Sequence, residues 1–280
     1  MIIPFFDKFI ARFYYIIKIG VNFLSKSTIS KNIKAIHIIK NVKKIKTKIF
    51  NIIYHGNLYY SSKKTVKTEF IDYILAWISE PEVILDLGSQ NAKQSIEFST
   101  LFPRAKIFAF ECNPPSIEKC IENIRNLKNI EIVPKAVFNK DGFMKFYPVI
   151  SNNMDGASSL FKSSGKYDHI VKLPQKEIVV ETTRIATWAN KKNIYKIDLC
   201  WMDLQGAEYE TLEGMDDLIF TVQAMFVEVV HQELYSGQKL FKEIVAFLEE
   251  KGFSMIKYFP VQPEWYGNAI FLNNNLKKNN

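Results

Sequence analysis

The sequence predicts an α/β fold, in which a mostly parallel sheet carries helices on both faces. After Tyr60, short apolar runs rich in β-branched residues alternate with helical patterns, as expected for a parallel sheet. The length of 280 residues and the 48% hydrophobic content suffice for the core of one such domain with an extension. The three cysteines include no C-x-x-C pair, which argues against a disulfide framework and for a reducing, cytoplasmic location.

The predicted elements of the first half follow one another with short connections. In order, they are a helix over 65–79, a strand over 83–87, a helix over 91–101, a strand over 106–110, a helix opened by Pro114 and Pro115, a strand over 130–137 and a strand over 143–149. The pair of prolines suits a first helical turn, because proline lacks the N–H group that is unsatisfied there in any case.

The second half begins with an irregular stretch. Residues 151–176 are rich in Ser, Gly, Asn and Lys, and their length predicts a substrate loop. The elements predicted after it are strands over 197–203 and 224–230, a helix over 238–251 and strands near 253–258 and 269–272. The predicted domain ends at residue 273, and residues 274–280 are predicted to be a frayed tail.

The N-terminal extension differs in charge from the rest of the chain. Residues 1–64 contain 13 Lys/Arg and one acid, whereas residues 65–280 contain 24 Lys/Arg and 28 Asp/Glu. Charged residues interrupt the apolar start, so neither a membrane span nor a secretory signal is predicted. Residues 33–53 place isoleucine at spacings of three or four among lysines, which indicates a basic amphipathic helix.

Three roles are open for this extension. It could contact an anionic membrane surface peripherally through residues 1–53, since apolar burial and lysine charge both favour such binding. It could equally pack against the body of the protein or a second subunit. Nucleic-acid binding is less favoured, because the extension has few base-reading side chains and the body carries a net charge of −4.

Polar residues follow several of the predicted strands. Open α/β sheets bind ligands at the carboxyl ends of their strands. At the first end, Asp86, Gly88 and Ser89 form a tight turn, in which glycine lets the backbone approach a ligand. At the second, Glu111 follows Asp86 by 25 residues and is suited to accept two ribose hydroxyls. These two ends together indicate a nucleoside cofactor.

The turn after the first strand distinguishes between cofactors. It reads G-S-Q-N-A, so it lacks the second glycine that admits a pyrophosphate in dinucleotide sites, and a P-loop is also absent. A nucleoside without phosphates fits better, and S-adenosylmethionine is the common one.

Four segments together resemble one family. They are ILDLGSQNA, FAFECNP, WMDLQGAEYETLEGM and EVVHQELYSGQ, and they resemble the FkbM-type S-adenosylmethionine-dependent methyltransferases over about residues 66–272. The resemblance implies a Rossmann-like class I methyltransferase fold with S-adenosylmethionine as cofactor. The sequence departs from the broader D-x-G-x-G turn at Gln90 and has Ala92 where glycine is frequent, and alanine fits there at modest strain only if its φ is negative.

The resemblance also implies roles for individual residues. Asp86 and Gly88 frame the methionine moiety, with Ser89 in the same turn, and Glu111 holds the ribose hydroxyls. A further pair, Lys135 and Ala136, lies beside the adenine, and Asp203 sits close to the transferable methyl group.

Methylation of a sugar hydroxyl requires a base, because the hydroxyl is a poor nucleophile until it loses its proton. We predict Asp203 and His231 for this role, with Glu208 and Glu228 in reserve. Asp203 could instead cap the following turn, His231 could be structural, and Glu208 is expected to pair with a lysine or stabilise the start of its helix. No metal is predicted: Mg²⁺ on Asp203 and a second carboxylate is possible, but no acidic spacing indicates it. Tyr235 and Trp265 could line the acceptor groove or belong to the core.

The predicted function is O-methylation of a sugar hydroxyl in a glycan, a glycolipid or a glycosylated metabolite. The apolar, basic extension favours a lipid-linked or surface-polysaccharide precursor as acceptor. Two alternatives remain open at this point. One is a methyltransferase for nucleic acid or protein, and the other is a non-catalytic scaffold that binds the cofactor without turnover.

Overall fold

The structure is a computed structural model that describes residues 71, 77–78, 80–150, 155–166, 168, 172–262 and 265–276. The basic extension, its amphipathic helix and the last residues of the tail lie outside the described residues. Of the helix predicted over 65–79, Ile71 and Trp77 are described as helical. Within the described range, no helix is both long and apolar enough to cross a bilayer.

The described elements alternate between strands and helices along the chain. The strands are β1 (Val83–Leu87), β2 (Lys106–Phe110), β3 (Ile130–Val133), β4 (Ala136–Val137), β5 (Gly142–Phe146), β6 (Ile178–Thr183), β7 (Leu199–Met202), β8 (Ala224–Val230), β9 (Phe253–Gln262) and β10 (Tyr266–Asn273). The helices are α1 (Lys93–Leu101), α2 (Pro114–Ile124), α3 (Ile185–Lys191), α4 (Glu208–Glu213) and α5 (Phe241–Glu250). Short 3₁₀ turns occur at Asp155–Ala157, Asp216–Thr221 and Asn274–Leu276.

A seven-stranded sheet with the order β3-β2-β1-β7-β8-β10-β9 forms the centre of the fold. Its strands are parallel from β3 to β8, and β10 is antiparallel to both of its neighbours, β8 and β9. The predicted mostly parallel sheet is therefore confirmed. The strand order reverses at β1, whose neighbours are β2 on one side and β7 on the other, and ligands bind at such a switch point in open α/β sheets.

Helices cover both faces of this sheet, as predicted. Alternate residues of β1 face opposite cores: Leu85 and Leu87 pack with α3, α4 and α5, whereas Ile84 packs with α1. Both cores are aromatic-rich, and Trp188 of α3 contacts Phe108 with a ring-centroid distance of 4.8 Å. Each fully buried large apolar side chain contributes about 1.5–3 kcal/mol, so these two cores hold the strand ends in register.

A second, three-stranded sheet with the order β4-β6-β5 stands beside the first. The strand predicted over 130–137 is split into β3 and β4, because Pro134 between them lacks the N–H group that a ladder needs. The strand predicted over 143–149 corresponds to β5, which begins at Gly142 and ends at Phe146. Beyond it, Tyr147 and Val149 form only isolated bridges. Neither β6 nor the helix α3 was anticipated, whereas the helix-start role considered for Glu208 implied α4.

Candidate active site

An open cleft lies at the carboxyl ends of β1, β2 and β7. Its empty volume is about 580 Å³, counting the space at its mouth. Among the predicted site residues, those that line this cleft are Gly88, Glu111, Lys135, Ala136 and Asp203. The strand register therefore gathers, at one point, residues that are more than a hundred positions apart in the sequence.

Gly88 occupies a position that no other residue could take without rearrangement. Its φ is +84°, and a Cβ atom built on it would lie 1.9 Å from the backbone oxygen of Asp203. The amides of Gly88 and Ser89 both donate to the carbonyl of Phe110, at 3.1 and 2.9 Å. The close neighbour that requires glycine here is thus the end of β7, whereas the sequence analysis expected a ligand.

Asp86 and Ser89 lie behind the cleft wall. Asp86 is 1% exposed, and its Oδ2 accepts a hydrogen bond of 2.5 Å from the hydroxyl of Ser95 on α1. Ser89 is also buried, and its Oγ lies 3.6 Å from the Sγ of Cys120. Both residues therefore support the turn between β1 and α1 from within.

The turn itself contains two left-handed residues that are not glycine. The φ of Gln90 is 52° and that of Ala92 is 60°. The sequence analysis required a negative φ for Ala92 to fit at modest strain, and the structure has a positive one. A left-handed conformation costs a residue with a side chain roughly 1–2 kcal/mol. Gln90 is held in place by a 2.8 Å hydrogen bond from its amide to Oε2 of Glu111.

Glu111 is fixed at the wall of the cleft by backbone amides. Besides Gln90, the amides of Cys112 and Asn113 donate to its Oε1, each at 2.8 Å. Hydrogen bonds to an ionised acceptor are stronger than neutral ones, so this carboxylate is oriented before any ligand arrives.

The third strand end contributes Lys135 and Ala136, in the break between β3 and β4. Ala136 is buried, while the Nζ of Lys135 contacts Oε1 of Glu181 on β6 at 2.5 Å. The apolar side chains of Phe110, Val137 and Leu160 line the cleft nearby. A fixed carboxylate suits the hydroxyls of a ribose, and apolar walls suit a nucleoside base. S-adenosylmethionine contains both groups.

Three carboxyl groups lie close together near the ends of β7 and β8, and of these only Asp203 lines the cleft. They belong to Asp203 after β7, Glu208 at the start of α4 and Glu228 on β8. The amide Nε2 of Gln205 donates to Asp203 Oδ1 and to Glu228 Oε2, at 2.7 Å in each case. Burial raises the pKa of Glu228 well above its ordinary value, and the charges of Asp203 and Glu208 raise it further.

Glu208 supports the turn in front of α4. Its two carboxyl oxygens accept hydrogen bonds from the amides of Leu204, at 2.8 Å, and Gly206, at 2.9 Å. Burial raises the pKa of Glu208 to about 8, with a smaller contribution from Asp203, although the backbone hydrogen bonds act in the opposite direction. The sequence analysis expected either pairing with a lysine or a helix-start role for Glu208, and these contacts fit the second.

Part of the irregular stretch packs against the segment after β8. Tyr235 is 3% exposed, and its hydroxyl contacts the carbonyl of Ala157, at 2.8 Å, and Oε1 of Gln205, at 3.0 Å. Ser159 donates its hydroxyl to the backbone oxygen of Gln205 at 2.7 Å. The sequence analysis missed Gln205 and Ser159, and the only signal for Gln205 was its place two residues after Asp203.

His231 lies away from the residues that line the cleft. Its Nε2 is 2.6 Å from the hydroxyl of Tyr258, and its ring packs edge-on against Phe241 with a centroid distance of 5.0 Å. Its amide donates to the backbone oxygen of Trp265 at 2.7 Å. The contacts of this histidine are therefore with β9, α5 and the start of β10.

No group of three or more His, Cys, Asp or Glu side chains suited to a metal ion occurs among the described residues. The cysteines Cys112, Cys120 and Cys200 are all free thiols.

Comparison with known proteins gives consistent matches to methyltransferases. The family model "Methyltransferase FkbM domain" matches residues 88–255. The 2-O-methyltransferase NoeI of Sinorhizobium fredii is 30% identical over 196 residues, which are 67% of this chain and 79% of that protein. The hexuronic acid methyltransferase AglP of Haloferax volcanii is 25% identical over 162 residues, 58% of this chain and 61% of AglP.

Solved structures with a similar arrangement are more distant. A precorrin-6y C5,15-methyltransferase from Geobacter metallireducens matches with 14% identity and a TM-score of 0.40, covering 76% of this chain and 93% of its own. A Streptococcus mutans protein in complex with SAH matches with 13% identity and a TM-score of 0.45, covering 75% and 98%. The family match spans more than half of the chain and includes the cleft residues described above. This chain therefore belongs to the FkbM methyltransferase family, and it is an S-adenosylmethionine-dependent methyltransferase with a Rossmann-like class I fold.

Proposed function

We propose that this enzyme methylates a sugar hydroxyl in a glycan, a glycolipid or a glycosylated metabolite. The observation that carries the proposal is the position of Asp203, a carboxylate at the cleft with the half-buried carboxyl group of Glu228 bound to the same amide, that of Gln205. A sugar hydroxyl requires such a base. The names of NoeI, a 2-O-methyltransferase, and AglP, a hexuronic acid methyltransferase, support the same acceptor class.

The residues around the β1 turn and Glu111 are proposed to bind the cofactor. Glu111 accepts the ribose hydroxyls, Lys135 and Ala136 border the adenine, and Gly88 allows the turn to pack closely against β7. The buried pair Asp86 and Ser89 acts indirectly, by holding the turn in shape. When bound, the cofactor supplies a sulfonium methyl group that is transferred by in-line displacement.

Asp203 is proposed as the base that takes the proton of the acceptor hydroxyl. Alignment of the acceptor oxygen with the methyl group supplies much of the rate, since effective molarity in such reactions is worth up to about 7–11 kcal/mol. His231, the other predicted base, is engaged with Tyr258 and Phe241, so its contacts favour a supporting role.

A non-catalytic binding protein is the second candidate, and one observation favours it. Gln90 and Ala92 adopt left-handed conformations where glycine would be relaxed, so the cofactor turn is strained. This alternative predicts cofactor binding without turnover. Methylation of nucleic acid is less favoured by the net charge of −4 on residues 65–280.

The first experiment is calorimetric titration of the full chain with S-adenosylmethionine and S-adenosylhomocysteine, with NAD as control. Binding of the first two and not of NAD is expected, followed by transfer of labelled methyl to one member of a panel of hexose, deoxyhexose and hexuronic acid glycosides. Tight binding without transfer to any sugar, peptide or nucleic acid would favour the scaffold. Transfer to nucleic acid or protein alone would overturn the sugar proposal.

A cytoplasmic location with peripheral contact to the inner face of an anionic membrane is proposed for the enzyme. The free cysteines support a reducing compartment, and the basic apolar pattern of residues 1–53 supports the contact. Deletion of residues 1–53 should abolish sedimentation with anionic vesicles and leave cofactor binding intact, whereas retained sedimentation would contradict the contact. Neutral vesicles provide the control for the electrostatic contribution.

A further inference from the structure

The amide of Gln205 joins two acids that come from different strands. A primary amide has two N–H donors, and the Nε2 of Gln205 contacts one oxygen of Asp203 and one of Glu228 at the same distance of 2.7 Å. The charge of Asp203 also acts on Glu228 and is one of the causes that raise the pKa of Glu228. Two carboxylate anions held close by one amide repel each other, so a proton on one of them relieves the repulsion.

The side-chain oxygen and the backbone oxygen of Gln205 also accept hydrogen bonds. Its Oε1 accepts from the hydroxyl of Tyr235 at 3.0 Å, and its backbone oxygen accepts from the hydroxyl of Ser159 at 2.7 Å. Its φ is 53°, a left-handed value that costs a non-glycine residue roughly 1–2 kcal/mol. The orientation of the amide is thus determined by its neighbours, which aim its two N–H groups at the two acids.

We propose that Asp203 and Glu228 share one proton and work as a pair, with Asp203 facing the acceptor hydroxyl and Gln205 as the residue that positions both acids. This inference rests on the proposed function and deepens it, because it identifies Glu228 and Gln205 as parts of the base. Asp203 lines the cleft, and Glu228 is not among the cleft-lining residues, so the two acids have different access to an acceptor.

The step balances as a simple proton transfer coupled to methyl transfer. The acceptor O–H bond breaks and an O–H bond forms on Asp203, while a C–O bond forms at the acceptor and the C–S bond breaks, leaving its electron pair on sulfur. Glu228 already holds the shared proton, so Asp203 remains the ionised member of the pair before the reaction.

Four titratable groups in the described part of the chain surround Glu228. Asp203 faces it from the end of β7, Glu208 from α4, Tyr235 from the segment after β8 and Tyr266 from β10. Burial and the two acids raise the pKa of Glu228, and the hydrogen bond from Gln205 lowers it. The surroundings therefore favour a neutral Glu228 next to an ionised Asp203.

The direct test is a carboxyl ¹³C NMR titration of the full chain labelled at Asp Cγ and Glu Cδ, which needs neither cofactor nor acceptor. Two groups that share a proton titrate in macroscopic steps that belong to the pair. We expect the signals of Asp203 and Glu228 each to show two inflections at common pH values. Two independent single inflections would overturn the proposal.

Three variants separate the partners. With Glu228→Gln, Asp203 should show a single inflection, and with Asp203→Asn, Glu228 should do the same at a lower pH than its upper step in the wild type. Gln205→Met retains the side-chain length without the amide and should move the two inflections of each acid. An unchanged titration in Gln205→Met would overturn the positioning role, and thermal unfolding of each variant shows whether it is folded.

Activity supplies the second readout. Asp203→Asn should lower kcat by about 10²–10⁴-fold, the usual contribution of a general base, without a comparable change in cofactor affinity. Glu228→Gln should lower kcat by a smaller factor and remove the upper inflection of the pH profile of kcat/KM. The matched control is Glu177→Gln, whose exposed carboxylate pairs with Lys145 away from the cleft and should leave both measurements unchanged.

The two proposals fail in distinguishable ways. Coupled NMR inflections in a protein that transfers methyl to no sugar would contradict the proposed function alone. Sugar methylation with uncoupled inflections would contradict the shared proton alone.

Discussion

Two sides of the cleft are built in different ways. The proposed cofactor side consists of the turn Gly88–Ala92 and of Glu111 with its two following residues, and adjacent parallel strands hold it together. The proposed acceptor side consists of residues 155–166 and Gln205, with residues 233–238 packed against them, and long-range side-chain hydrogen bonds hold it together. Its bonds join residues as far apart as Tyr235 and Ala157, which are separated by 78 positions.

The sheet therefore determines the geometry of one side of the cleft, and loops determine the geometry of the other. On the cofactor side, backbone amides and carbonyls make most of the contacts, so the geometry follows once β1, β2 and β7 are in register. On the acceptor side, single hydroxyl and amide groups determine the position of each loop. We therefore expect changes of acceptor specificity to arise in the loops without loss of the cofactor site.

The largest expected effect tests the dependence of the cofactor side on the sheet. Gly88→Ala places a Cβ atom against the Asp203 carbonyl and should destabilise the fold by more than about 4 kcal/mol in urea unfolding. The matched control is Gly237→Ala, which has the same φ of +84° but nothing within 4 Å of its Cβ. It should cost only the roughly 1–2 kcal/mol of the left-handed backbone, and equal losses would show that packing against β7 is unimportant.

The next effect is a pH dependence at Glu208, which holds the turn that contains Gln205. Glu208 has a pKa near 8 in the folded protein, above its ordinary value, so the folded state binds more protons than the unfolded state. Its contribution to stability is complete below pH 4.5 and is lost as the pH rises to about 8, by on the order of a few kcal/mol. The difference in unfolding free energy between the wild type and Glu208→Gln should therefore fall over this range, and a constant difference would contradict the raised pKa.

A smaller effect tests the acid of the cofactor side. Glu111→Ala removes the proposed acceptor for the ribose hydroxyls and the observed acceptor for the amide of Gln90, and should weaken S-adenosylmethionine binding about 10–100-fold. Calorimetry measures this change, and Glu131→Gln, an exposed residue paired with Lys192, is the control. Unchanged affinity in Glu111→Ala would remove the ribose assignment.

The smallest effect tests a single hydrogen-bonded contact between loops. Tyr235→Phe leaves the carbonyl of Ala157 and Oε1 of Gln205 without this donor and should cost about 1–2 kcal/mol in stability. Tyr195→Phe is the control, because that side chain is 71% exposed. If the two variants lost equal stability, the acceptor side would not depend on the tyrosine hydroxyl.

The sequence analysis predicted the strand ends on the cofactor side and missed parts of the acceptor side. The ends of β1, β2 and β7 were predicted because buried parallel strands are continuous apolar runs, and the acid or glycine after each run is visible in the sequence. β6 was missed because it follows directly on the irregular stretch and is partly exposed, which leaves only a weak pattern. Gln205 was missed because its importance depends on partners from three other segments.

The sequence by itself determined the α/β class, the succession of the main strands along the chain, the glycine turn after β1 and the family. These properties depend on local periodicity and on contiguous motifs, which a linear sequence records directly. The tertiary structure decided that Gly88 packs against β7, that His231 turns toward Tyr258 and that Asp203, Gln205 and Glu228 meet. Such contacts depend on strand order and loop packing, which bring distant residues together and which no short segment of the sequence encodes.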